Sequence, residues 1–211
     1  NEQDPIIDYL YENGILFVQI GKASQYPGET ICIDNDNILA AREAVNYLYA
    51  LGHRKIGYVG TDLKRIFSAD RKAGYMLALA ENNVPFKESY YLEMPQVPKE
   101  ENDALLHFLS GNDRPTAVLV SDDILAMVLE KTAFKLHLHI PEDLSIISFN
   151  NSLFSKLSSP QLTSIDINSR QLGIEAASQM INHIENPGLL ATKIIVPHFM
   201  IERQSCAAPA D

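Results

Sequence analysis

KIGYVGTDLKRIFSADRKAGYMLALA, residues 55–80, decides the fold. It opens on a β-rich apolar run, KIGYVG, and passes through a polar loop into a helical spacing of Ala73, Met76, Leu77 and Ala80. A strand that feeds an amphipathic helix is half of a parallel β/α unit. Ser68 is expected as the N-cap of that helix, which puts Arg71 in its first turn. The macrodipole disfavours a cation there by a few tenths to about 1 kcal/mol. A guanidinium so placed needs an offset, and the strand ends beside it supply one.

The same alternation runs in both directions. Upstream, Asp4–Pro5 reads as N-cap and N1 of a helix, IIDYLYEN, stopped by Gly14; strands ILFVQI (15–20) and ETICID (29–34) follow. A helix from Asn37 to Leu51 carries Ala41, Ala44, Val45 and Leu48 on one face, with Gly52 at C′. Downstream come a strand YYLEM (90–94), a helix EENDALLHFLSG (100–111), a strand TAVLVS (116–121) and a helix ILAMVLEKTAF (124–134). Strands LSIISF (144–149) and LTSIDI (162–167), a helix from Ser169 or Arg170 to Asn186, and KIIVPHFMIE (193–202) as one last strand complete the pattern. The fold class is α/β, built on parallel sheet. Residues 55–150 hold a nearly complete sheet, whereas only two strands precede them. Parallel sheets are buried on both faces, so the first lobe is expected to be cut short at its N-terminus.

Composition narrows the function. The 211 residues carry a formal charge of −10, with 46% hydrophobic and 21% charged residues, enough for a proper core. An acidic chain without a basic tract is poorly suited to grip phosphate backbones or anionic membrane. Cys32 and Cys206 stand far apart in no metal-like spacing and are expected to be reduced thiols, as in the cytosol. No apolar run approaches the roughly 20 residues that span a bilayer. There is no G-x-S-x-G, P-loop or C-x-x-C pattern, and YVGTDLKR has too few glycines for a dinucleotide fingerprint. His137 and His139 lack a third metal ligand, and His53, after the Gly52 cap, is expected to meet the last carbonyls of its helix. No catalytic residue, metal or cofactor is expected.

In doubly wound folds ligands bind outside the carboxyl ends of the strands. Here those ends run into Asp34-Asn35-Asp36-Asn37, Thr61-Asp62 with Arg65 and Arg71 beyond, Asp122-Asp123, and Asn150-Asn151. Carboxylates, amides and guanidinium groups make paired hydrogen bonds to vicinal hydroxyls, which sugars present. The competing reading makes Asn37 and one of Asp122 and Asp123 ordinary helix caps, and pairs Arg71 with Asp70 or Asp62. Adjacent carboxylates, Asp122–Asp123 and Glu100–Glu101, read as caps or solvated faces rather than an acid/base pair.

The ordered set CIDNDN (32–37), LGHRKIGYVG (51–60), ADRKAGY (69–75), PTAVLVSDDILA (115–126), IPEDLSIISFNN (140–151) and SPQLTSID (159–166) resembles the effector-binding domain of the LacI/GalR transcription-regulator family. FVQIGK (17–22) and SFNNS resemble its maltose-operon repressor subgroup. The resemblance implies a two-lobed, periplasmic-binding-protein-like fold of type I, each lobe a parallel sheet flanked by helices. Three crossings are expected near Gly52–Ile56, Ile165–Asn168 and Leu189–Lys193. Lobe one would hold residues 1–53 and 167–190, lobe two 54–166 and 191–207. The family's helix-turn-helix domain would precede this chain.

By the same resemblance, Arg71 bonds effector oxygens, Asp122 touches a sugar hydroxyl, and Asn150 stands where many sugar-responsive members have Asp. Asp36 matches a cleft residue of lobe one. Arg65 matches a position that contacts effector in the purine-responsive branch. Val97 or Met94 occupies the region of a usual stacking aromatic, so apolar contact is expected from Phe67 or Phe154. The implied protein is a cytoplasmic repressor core, not an enzyme, that senses maltose or a maltodextrin, forms a homodimer, and meets operator DNA through its headpiece, with no membrane partner. ILAMVLEKTAF carries apolar residues wider than one stripe (Leu125, Met127, Val128, Leu129, Phe134), and its second face is expected in a twofold homodimer contact, the alternative being a simply well-buried helix. An exported sugar receptor of a transporter is the main rival, and a sugar-nucleotide transferase a remote one.

Overall fold

Two sheets divide the chain between them. The computed structural model describes residues 3–95 and 103–210, so Val97, Glu100 and Glu101 lie outside the described residues. A small parallel sheet joins β1 (Val18–Ile20), β2 (Ile31–Asp34) and β8 (Lys193–Ile195) in the order β1-β2-β8. A large sheet holds β3 (Ile56–Gly60), β4 (Tyr91–Glu93), β5 (Ala117–Val120), β6 (Ser145–Phe149), β7 (Thr163–Asp166) and β9 (Phe199–Ile201), in the order β4-β3-β5-β6-β7-β9. Its ladder is parallel except where β9 runs antiparallel on β7. The helices are α1 (Pro5–Glu12), α2 (Asn37–Ala50), α3 (Ile66–Glu81), α4 (Asp103–Leu109), α5 (Asp123–Lys135), α6 (Leu153–Leu157) and α7 (Ser169–Glu185).

Strand periodicity sorts the large core into two layers. Ile56, Tyr58, Leu119, Ile147 and Phe149 face α2 and α3, while Val59, Val118, Val120 and Ile146 face α4 and α5. Burial on both faces explains why these strands read as unbroken apolar runs. α2 and α3 approach backbone to backbone at Gly74, where an added Cβ would stand 2.2 Å from the Ile38 carbonyl oxygen. In the small lobe, Ile33, Leu172 and Val196 form the core with Val18 and Ile194 beside them.

The lobe boundaries differ from expectation in two places. Residues 37–50 were expected in lobe one, but the small residues of α2, Ala40, Ala41 and Ala44, pack with Tyr75 and Ala78 of α3 in the large lobe's core. KIIVPHFMIE is not one strand. Pro197 cannot donate to a ladder, and the segment splits into β8 in the small sheet and β9 in the large one. The chain therefore crosses between lobes at 34–37, 166–169 and 195–199, and residues 193–195 belong to the small lobe.

Local details are corrected too. α3 begins at Ile66 with Arg65 at its N-cap, so Ser68 lies inside the helix and bonds Thr61 Oγ1 at 2.7 Å, and Arg71 sits in the second turn, beyond the worst of the dipole. The His53 imidazole does not meet its helix's last carbonyls; only its backbone N–H does, donating to the Leu48 carbonyl at 3.1 Å. Its ring contacts Thr116 at 2.9 Å, Ser145 at 3.1 Å and the Ala207 carbonyl at 2.9 Å, and burial holds its pKa below the ordinary range.

Glu130 on α5 supplies a pH test. Burial raises its pKa from 4.5 to about 7, opposed in part by the nearby Ser158 hydroxyl, and among the described residues its Oε1 has no hydrogen-bond partner. As pH rises from 4.5 to 7 the unfolded chain loses this proton while the folded chain keeps it, so stability falls across that window. Glu130→Gln should leave stability nearly unchanged below the window and raise it by about 1 kcal/mol above. The gain is less than the full shift because part of the group still meets solvent. Denaturation curves on either side of the window measure it.

Candidate functional site

The carboxyl ends of both sheets meet at a cavity of about 370 Å³ between the lobes. The small lobe lines it with Ile20, Gly21, Asp34 and Leu172, the crossings with Asn35, Asn37 and Ile167, and the large lobe with Phe67, Arg71, Asp122, Asp123, Ile124, Asn150, Ser152 and Phe154. A larger hollow, about 530 Å³, lies on the outer side of the small lobe between Tyr11, Phe17 and Ile184, away from the assembled strand ends.

Arg71 is the central group. It is 5% exposed and lies with its guanidinium carbon 3.9 Å from the centre of the Phe149 ring. Its Nε donates to Asn37 Oδ1 at 2.9 Å, and its Nη1 donates to the Ser121 carbonyl, so it makes neither of the ion pairs considered from sequence. Asp70 pairs with Lys22 instead. Burial lowers the Arg71 pKa to about 10 while Tyr58, Asp122, Asp34 and Asp123 act to raise it, so the group is cationic at neutral pH. A fork held by Nε and Nη1 leaves further N–H groups for a ligand on the cavity side.

Around it the acceptors are graded. Asp34 ends β2; burial pushes its carboxyl above the ordinary range, opposed by the Asn35 N–H that it accepts at 2.8 Å. Asp122 caps α5 by accepting from the Leu125 N–H at 2.8 Å and also lines the cavity, so the cap and cleft roles coincide. Asn150 carries φ of +98°, a strained conformation for a residue with a Cβ, and lines the cavity from the end of β6. Asp123 is a different matter. It is fully buried and accepts from Ser148, from Ser164 at 3.0 Å and from the Ser152 N–H at 2.6 Å, which ties β6, β7 and α6 beneath the cavity.

Two expected site residues lie elsewhere. Asp36 is exposed and caps α2 through the Leu39 N–H at 2.8 Å; it borders a separate hollow with His198. Its neighbour Asn37, expected to be the cap, holds Arg71. The strand-to-helix turn displaces the two by one position, which exchanges their roles. Arg65 lines an adjoining hollow of about 300 Å³ at the mouth, with Gln19 and Lys22, rather than the cavity itself. Phe67 and Phe154 supply aromatic walls, and Met94 is buried in the large core. The sequence marks Asp34 only as a strand-end residue and Asn37 only as a helix cap.

Asn35 joins the three crossings. Its Nδ2 donates to the Ile167 carbonyl at 3.0 Å and to the Val196 carbonyl at 2.8 Å, so one buried amide on the first crossing holds the other two. Among the described residues no cluster of three or more His, Cys, Asp or Glu could hold a metal ion, and no helix is long and apolar enough to cross a membrane. Both cysteines are free thiols. The cavity thus combines a buried cation, carboxylates and amides with aromatic and aliphatic walls, groups chemically able to pair with ligand hydroxyls and to cover an apolar ligand face.

Two lobes joined by three crossings around a polar cleft define a periplasmic-binding-protein type of domain. Residues 45–206 match the periplasmic binding protein-like domain family, and the chain belongs to it. Its relatives are LacI-family regulators. The chain is 31% identical over 97% of its length to the HTH-type transcriptional regulator MalR of Staphylococcus xylosus, and 34% identical over 77% of its length to the HTH-type transcriptional repressor PurR of Photorhabdus laumondii. These matches cover 59% and 48% of the respective relatives, so the chain spans about half the length of the curated proteins it matches. The crystal structure of a putative transcriptional regulator LacI from Bacillus cereus subsp. cytotoxis superposes with a TM-score of 0.90 at 36% identity, covering 98% of this chain and 73% of that one. The fold is that of LacI-family effector-binding domains.

Proposed function

We propose that this chain is the sugar-sensing core of a cytoplasmic transcriptional repressor and performs no catalysis. The observation that carries the reading is the convergence of Arg71, Asp34, Asn37, Asp122 and Asn150 on one cavity with Phe67 and Phe154 in its walls. Those groups match vicinal hydroxyls, and the aromatic rings match the apolar face of a pyranose. Maltose or a short maltodextrin is the effector, a choice supported by the MalR relative. Binding favours one lobe arrangement by its differential affinity and alters operator binding through a helix-turn-helix headpiece.

The second copy of the chain docks on the outer face of α5 and α6. Met127 and Phe134 on α5 and Leu153 and Leu157 on α6 are exposed, Phe134 at 81%. A patch of this kind is expected at a twofold interface. Calorimetric titration with maltose, maltotriose and a purine base tests the effector class. Heat from the glucosides alone is the expected result; binding of the purine alone would replace the reading. In sedimentation equilibrium Phe134→Glu should dissociate the dimer, and an intact dimer in that variant would move the interface elsewhere.

A further inference from the structure

We infer that Lys22 and Asp70 form a latch that holds the two lobes together at the mouth of the cleft. Lys22 belongs to the small lobe and directly follows Gly21 at the end of β1; Asp70 belongs to the large lobe and directly precedes Arg71 in α3. Gly21 and Arg71 both line the cavity, so the pair is set on its rim from either side. The Lys22 ammonium lies 3.2 Å from one Asp70 oxygen and 3.3 Å from the other. Their side chains are 46% and 19% exposed, which makes the pair accessible to solvent and ions yet partly shielded.

Placement gives the pair its role. β2 and β8 lead directly into crossings and are held at the hinge by Asn35, whereas β1 is the strand of the small sheet that leads into none. The pair spans the two lobes, so a rotation that opens the cleft on the β1 side separates Lys22 from Asp70. The ion pair exists only in the closed arrangement and adds its free energy to that state alone. The same pair steadies the cavity's charge. Asp70 acts on Asp34 as a like charge, and the Lys22 ammonium at its carboxylate partly offsets that field.

The test reads lobe separation with no sugar present, so its outcome is independent of the effector assigned above. Spin labels at Glu12 and Lys64, in a Cys206→Ser background, report the interlobe distance by double electron–electron resonance. Lys22→Gln and Asp70→Asn should each shift the open-to-closed ratio about 1.5- to 5-fold toward open, the factor carried by a half-exposed ion pair. Asp70→Lys, which sets two cations face to face, should open the cleft further. The exchange Lys22→Asp with Asp70→Lys should restore the wild-type distribution, and added salt should widen the wild type but not the single neutral variants. Single variants with unchanged distances, or an exchange no better than Asp70→Lys alone, would overturn the latch.

Discussion

Arg71→Ala should weaken maltose or maltotriose binding by about 2–4 kcal/mol, because a ligand oxygen buried in the cleft loses its charged donor. The guanidinium is already desolvated and oriented in the free protein, held by Asn37 and the Ser121 carbonyl and laid on Phe149. Little of the binding free energy is then spent on ordering it. Arg71→Lys should recover part of the loss, since an ammonium keeps the charge but not the planar fork. The substitution also relieves a buried charge while orphaning its partners, so folding is measured separately by thermal denaturation. Calorimetry on folded variant protein then isolates the binding term. Unchanged affinity in Arg71→Ala would place the sugar elsewhere.

Gly74→Ala should destabilise the fold by about 2–3 kcal/mol, the range of overpacked cores. The obstacle is the Ile38 carbonyl, 2.2 Å from the new methyl group, with Ala41 Cβ at 2.8 Å. Backbone cannot swing aside as a long side chain can, so α2 and α3 must separate. Helix propensity alone would favour alanine by about 1 kcal/mol. Gly173 in α7 isolates that term, because an added Cβ there meets nothing within 4 Å. Gly173→Ala should therefore stabilise by about 0.5–1 kcal/mol, opposite in sign to Gly74→Ala. Urea unfolding of the two variants checks both, and equal signs would refute the close-approach account.

What local sequence specified, and what it did not, follows from the range of each interaction. Asp4 and Pro5 start α1 as expected, since a cap is settled within a turn of chain; Gly14, Gly52 and Gly111 adopt positive φ. The ends of β/α loops were legible as a site because strand direction alone gathers them. Asp36 and Asn37 were assigned each other's roles, since both can cap and only the position of Arg71, 34 residues on, decides between them. Ser68 has the composition of a cap in sequence, but its partner, Thr61, lies across the loop. Asp123 escaped as a buried hub because its donors Ser148, Ser152 and Ser164 are 25 to 41 residues away. The membership of α2 was similarly hidden: its apolar face is visible in the sequence, but not which sheet lies beneath it.

The amide of Asn35 has a mechanical corollary. With the three chain crossings drawn to a single point, rotation of the small lobe about that point is the motion the connections favour, like that of a lever on a fulcrum. Displacement under such a turn scales with radius. A few degrees too slight to disturb Asn37 or Ile167 become ångströms at the far side of the small lobe, so a subtle change inside the cleft is broadcast as a large one at its outer wall.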